Sequence, residues 1–296
     1  MRTVLKFLRF IVWSAVVITL GYGYYELVDG FFPFRTKITM KKDVAWTCKE
    51  GDLSSILSQN FYYLDKGCRA YAFVSQDDQY VLKLFKQNQL WSLDSLTFKW
   101  LPETLKKPIE IGTAKRMVRK KHRRSSLKLA YDRLREESAL IAIHLDATDQ
   151  LHQKIRVYNR IGIPHEIDAD STVFILQKKG DTFGEYLKTH LDDKEGVKRV
   201  IDSLFDLFDH RVAMGILDHD RGPKLFRNYG VLNGKIFWLD IGSIYVGKTA
   251  PSWDSETAHL LKQLLNFMKE HDPDLYTYCQ NKIETREKCK DVNTCP

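Results

Sequence analysis

Between residues 215 and 243, GILDHDRGPKLFRNYGVLNGKIFWLDIGS, three aspartates and two asparagines alternate with apolar runs and glycines. Carboxylate and amide oxygens are hard ligands that suit magnesium, an ion that keeps several waters and sits beside nucleotide phosphates. Asp220 and Asn228 fall in a loop after an expected helix, and Asp240 ends an apolar strand just before Ile241-Gly242. Two features far upstream suit the same chemistry. Lys83 interrupts the apolar run YVLKLF, where its ammonium could meet a carboxylate and a phosphate, and Gly67 offers side-chain-free backbone to an anion. Glu137 lies three residues after Leu134 and four before Ile141, a helical spacing that places it on a packed face in need of a partner. Each residue also has a structural reading: a glycine in a turn, an aspartate at a strand end, a lysine turned to solvent, a glutamate paired locally with Arg133.

The elements that must position these groups follow from pattern. YYLDK (62–66), AYAFVS (70–75) and QYVLKLFK (79–86) read as short strands, the last two joined by the turn signal QDD. Residues 87–112 carry Pro102, Pro108 and Gly112 and are expected to be irregular; a helix is predicted from Lys115 to His144, a stretch free of both residue types. A strand is predicted over 172–177, then a short helix. Val197, Val200, Ile201, Leu204, Leu207 and Phe208 form the core stripe of another helix, ending at Gly215. NYGVL and KIFWLDI flank Asn233-Gly234, a strong hairpin signal, and the chain from Ser252 onward reads as helical.

Taken in order, these pieces resemble the protein-kinase-like superfamily. GILDHD is similar to the approach to the family's catalytic loop, with Asp220 in the catalytic aspartate's place and Asp218 in that of a histidine. Asn228 and the aspartate of LDIG, Asp240, resemble the two magnesium ligands. LDKGCRAYAF is similar to a glycine-rich loop that keeps Gly67; YVLKLF resembles the strand bearing the phosphate-binding lysine, Lys83, and ESALI the helix whose acid, Glu137 with Glu136 as the alternative, pairs with it. The resemblance covers about residues 60–245 and implies an α+β, two-lobed fold that binds ATP and Mg2+. It departs from the family in placing Asn228 eight residues after Asp220 instead of five, and in lacking an Ala-Pro-Glu segment after LDIGS, which brings it closer to compact small-molecule or atypical kinases. The function implied is ATP/Mg-dependent phosphoryl transfer to a hydroxyl acceptor; the alternative is a catalytically impaired kinase-like module that binds a nucleotide or partner.

The implied division is a membrane anchor or uncleaved signal-like helix at 1–29, a connector at 30–59, an N-lobe with a basic helical insertion at 60–178 and a compact helical C-lobe at 179–296. The N-terminal stretch has Arg2, Lys6 and Arg9 followed by uncharged residues from Phe10 to Tyr25, which reads as a single-pass anchor, with Lys37, Lys41 and Lys42 weakening the orientation signal. The net charge of +8 is one patch: residues 106–128 hold ten Lys/Arg against the single acid Glu110. A basic patch without interleaved aromatics, on an otherwise near-neutral chain, argues against nucleic acid and fits anionic lipid or a phosphorylated ligand. The five cysteines lack zinc-ligand spacing, and their pairing stays open.

Overall fold

The computed structural model describes residues 2–38, 47–49, 53–87, 103–218, 222, 224–247 and 253–291. The fold is α+β with an N-terminal apolar helix, as expected. The chain divides into two compact units, residues 1–102 with 141–177 and residues 103–140 with 178–296.

The first unit begins with α1 (Arg2–Leu27), of which Lys6–Leu27 is long and apolar enough to cross a membrane and is wholly unburied. Those 22 residues span about 33 Å as helix, matching a hydrocarbon core of about 30 Å. The helix ends in a turn where Asp29 and Gly30 both take positive φ. Asp29 is then fastened by the Tyr63 hydroxyl at 2.6 Å, Lys66 at 3.0 Å and Arg160 at 3.3 Å. The Tyr63 hydrogen bond, with help from the two cations, holds the Asp29 carboxyl below its usual range.

The rest of this unit is an eight-stranded sheet formed by β1 (Thr47–Lys49), β2 (Asn60–Lys66), β3 (Ala70–Ser75), β4 (Tyr80–Phe85), β5 (Leu140–His144), β6 (Lys154–Tyr158), β7 (Pro164–Asp168) and β8 (Phe174–Lys178) in the order β1-β5-β8-β4-β3-β2-β6-β7. Strands β2 to β4 form the antiparallel meander that alternation predicts. The β6–β7 hairpin joins through a parallel pairing of β6 with β2. The core holds Phe61, Tyr71, Phe73, Leu82, Leu84, Phe174 and Leu176, together with Phe31, Leu53 and Leu57 (the last two the N-cap and the final residue of the short α2, Ser54–Leu57) from the segment expected to be a connector. The Phe31 ring stands edge-on to Tyr71 and Phe73, both at 5.1 Å. Tyr71 donates its hydroxyl hydrogen to the Gly30 carbonyl, and burial pushes that phenol up to about 12. The exit of α1 is thereby built into the sheet's core.

The second unit opens with α3 (Glu103–Arg133), which runs through Pro108 and Gly112 and stops eleven residues short of the predicted end. The cause lies downstream, where Ala139 adopts a positive φ and LIAIH pairs as strand β5. Next come β9 (Asp181–Thr182) and α4 (Phe183–His190), started by a capping box between Thr182 and Glu185. Helix α5 (Lys194–Ala213) is capped by the Asp193 carboxylate and buries its whole predicted apolar stripe. Gly215, with φ of 67°, ends it in the left-handed conformation that favours glycine. The remaining elements are β10 (Ile216–Asp218), α6 (Leu225–Asn228), the hairpin β11 (Tyr229–Leu232) and β12 (Lys235–Trp238), β13 (Ile244–Val246), α7 (Trp253–His271) and α8 (Pro273–Asp291). Asn233 and Gly234 turn the hairpin with positive φ at both positions. Among the cysteines with described side chains, Cys68 is exposed and Cys279 buried, both as free thiols; burial pushes Cys279 up to about 12.

Candidate functional site

In the second unit, β11 and β12 carry Asn228 and Asp240 to one end of their hairpin. The Asn228 carbonyl accepts from Leu239 N at 2.8 Å and from Asp240 N at 3.3 Å, so the two residues are neighbours through backbone. The hairpin is held closely, since a Cβ on Gly230 would lie 2.7 Å from the Phe237 ring and 2.9 Å from the Asp181 carbonyl. Asn228 is half-buried and Asp240 is exposed. A carboxylate and an amide are the hard-oxygen side-chain types that suit magnesium, an ion that retains waters; the contact between these two residues is made through backbone.

Asp218 differs from Asp240. Its strand, β10, pairs antiparallel with β13, with Asp218 opposite Ile244. The carboxylate accepts the Ser243 hydroxyl at 2.6 Å, while its backbone N–H donates to the Glu256 carboxylate at 3.2 Å. Glu256 in turn meets Arg211 at 3.4 Å. Arg211 is 1% exposed, with its guanidinium 5.2 Å from the Trp238 ring centre and 5.7 Å from that of Phe208. This chain, from the buried Arg211 through the partly buried Glu256 and Asp218 to Ser243, fixes the strand that leads toward Asp220 and the segment that follows Asp240. Sequence reasoning did not find it. The signal was present in Arg211, which continues the stripe of Leu204, Leu207 and Phe208 at helical spacing and so had to be buried. Asp220 itself lies outside the described residues.

Glu137 was expected on a helix. It lies instead in the turn after α3, where its carboxylate meets His210 Nδ1 at 2.6 Å and its carbonyl accepts from Trp238 N at 2.5 Å. The expected pairing partner, Lys83, belongs to the first unit. It sits on β4 opposite Ala72, half-buried between the fully buried Leu82 and Leu84. Gly67 forms the turn between β2 and β3: its N–H donates to the Ala70 carbonyl at 3.0 Å, and its carbonyl accepts from Lys86 at 2.6 Å. A Cβ there would meet only the Ala70 carbonyl, at an ordinary 3.6 Å. Local packing therefore does not require glycine at this position.

No family model and no curated protein matches the chain. Among solved structures, the complex of Rv3197 with erythromycin from Mycobacterium tuberculosis is similar at 11% identity and a TM-score of 0.29, over 77% of this chain and 55% of that one. The chain thus spans 55% of that protein's length, and a likeness of that degree carries no argument about function.

Proposed function

We propose that the protein is a membrane-anchored phosphotransferase of kinase-like design that uses ATP and Mg2+ and acts on a hydroxyl acceptor. The observation that carries this reading is the joining of Asn228 to the exposed Asp240 at one end of the β11–β12 hairpin. Three further features support it. The contiguous strands β2, β3 and β4 place the Gly67 turn and Lys83 in one sheet. The β10–β13 pair leads directly into the 219–221 segment that contains Asp220. Helix α1 has the length and apolarity of a single-pass anchor.

In this reading the Gly67 turn covers the nucleotide, Lys83 holds phosphate oxygens, Asn228 and Asp240 hold the magnesium, and Asp220 orients the acceptor hydroxyl and takes its proton. Bound magnesium supplies neutralisation of phosphate charge; the chain itself contributes positioning and fixed charge. As the acid that orients Lys83, Glu137 would keep one carboxylate oxygen, Oε1, on His210. That 2.6 Å contact favours a second reading, in which the same residues bind nucleotide without turnover.

The test is ATP binding to the full chain in detergent, with and without magnesium, followed by a screen of hydroxyl acceptors. Asp240→Asn is expected to weaken magnesium-dependent affinity by at least about tenfold, the lower end of what lost support of a metal site costs. Unchanged affinity in that variant removes the metal assignment. Turnover abolished by Asp220→Asn identifies the transferase, whereas binding without turnover in the unaltered protein identifies the module.

A further inference from the structure

A groove of about 480 Å³ runs between α3 and β13, inside the second unit. Its walls are apolar on both sides, with Val118 and Leu129 from the helix facing Tyr245 and Val246 from the strand, and the helix also contributes Lys121, His122 and Ser125. Two of the apolar walls stand in water: Val118 is 67% exposed and Val246 48% exposed. The groove is a fixed feature of the fold, because the buried Ser126 hydroxyl donates to the Ile244 carbonyl at 2.6 Å and locks helix to strand beneath it.

We infer that this groove binds a single anionic phospholipid, with an acyl chain laid against Val118, Leu129, Tyr245 and Val246 and the headgroup phosphate at Lys121 and His122. The volume lies within the roughly 300–1,000 Å³ of small-molecule sites. Apolar walls on both sides call for a hydrocarbon occupant. The charge calls for an anionic one: Lys121 is exposed at the rim, and residues 106–128 hold ten basic side chains against one acid. An apolar slot with one aromatic residue offers no stacking platform for nucleic-acid bases, and an acidic peptide would leave the apolar walls poorly matched. A chain that carries a bilayer-length helix is tethered to a lipid reservoir, which raises the effective concentration of this ligand class. The inference does not rest on the phosphotransfer reading.

The probe is a phosphatidic acid with a photoactivatable acyl chain, presented to the full chain in phosphatidylcholine nanodiscs, with crosslinks mapped by peptide mass spectrometry. Crosslinks are expected within 118–129 and 244–246. They should fall at least about fivefold in Lys121→Glu, from the loss of one cationic contact near a headgroup, and fall again in Val246→Asp, which closes the apolar wall to hydrocarbon. Circular dichroism checks both variants, and Lys121→Glu, at an exposed helical position, keeps the test valid if Val246→Asp misfolds. Equal labelling by the matching phosphatidylcholine probe, labelling confined to α1, or labelling indifferent to both variants would overturn the inference. Displacement of the probe by a polyglutamate peptide that itself protects both segments from hydrogen exchange would assign the groove to an acidic protein partner instead.

Discussion

Asp170, in the first unit, and Asp240, in the second, are aspartates beside short strands, and the fold treats them in opposite ways. Asp170 is 9% exposed and accepts from the Thr148 hydroxyl and from the backbone N–H groups of Gln150, Leu151 and His152. Burial pushes its carboxyl upward, but these donors outweigh that cost and hold it well below the usual range. Asp240 is exposed beside Asn228. A carboxylate whose acceptor sites are filled by the protein's own N–H groups is a structural strut. One that is exposed has capacity left for a ligand. Asp218 falls on the strut side through Ser243, although sequence places it in the same short stretch as Asp240.

Removing what holds Asp218 tests that division most severely. Arg211→Ala leaves the partly buried Glu256 carboxylate without its cation and opens space against Trp238 and Phe208. Breaking a buried pair in this way costs about 3–5 kcal/mol, and the 15% exposure of Glu256 places the expected loss near the lower end. Denaturant unfolding of the full chain measures it. A loss below about 1 kcal/mol, the scale of a surface pair, would mean that Asp218 is not held by this network.

The next effect is smaller and depends on pH. Asp170→Asn removes the charge that several N–H groups were ordered to receive, an expected loss of about 1–3 kcal/mol at neutral pH. In the unaltered protein the depressed folded pKa of Asp170 stabilises the fold above the unfolded carboxyl value of about 3.9, and this contribution drains away as pH falls below it. His144, whose ring contacts the Thr172 carbonyl and the Thr148 hydroxyl, is lowered by burial. Its contribution is complete above the unfolded value of about 6.5 and is lost at more acid pH. Thermal unfolding should therefore show two losses on acidification. Asp170→Asn should reduce the lower one, to which the depressed Asp29 carboxyl also contributes, and Asp240→Asn should leave both in place. An acid profile altered equally by both substitutions would collapse the distinction between the two aspartates.

What the sequence made legible was local. Alternation found β3 and β4, the Asn233-Gly234 signal found the hairpin, and the apolar stripe found α5, because each is written within a few residues. The misses depend on distant partners. Strand β6 pairs in parallel with β2, some ninety residues earlier in the chain, and Phe31 becomes a core residue only because Tyr71 and Phe73 surround it. Pro108 and Gly112 suggested an irregular segment, yet one lost N–H and one flexible residue are affordable in a helix of 31 residues. At the candidate site, residue types proposed Asn228 and Asp240 as metal ligands, and the structure joins the two residues through backbone. Residue spacing misplaced Glu137 on a helix because the helix stops at Arg133 and residues 134–139 turn, a turn closed by a positive φ at Ala139 that has no signature in an alanine.

The smallest expected effect is the most discriminating for the first unit. Glycine usually answers a local demand, either a positive φ, as at Gly234, or a close neighbour, as at Gly230. Gly67 answers neither: its φ is not in the left-handed range, and an added Cβ would make a single ordinary contact. Gly67→Ala should therefore leave stability unchanged or raise it by about 0.4–1 kcal/mol, through the restricted unfolded chain. If the turn covers nucleotide phosphates, the same methyl group must weaken ATP binding while melting is unaffected. A variant with full stability and full ATP affinity would show Gly67 to be an incidental turn residue and would remove it from the proposed nucleotide contacts.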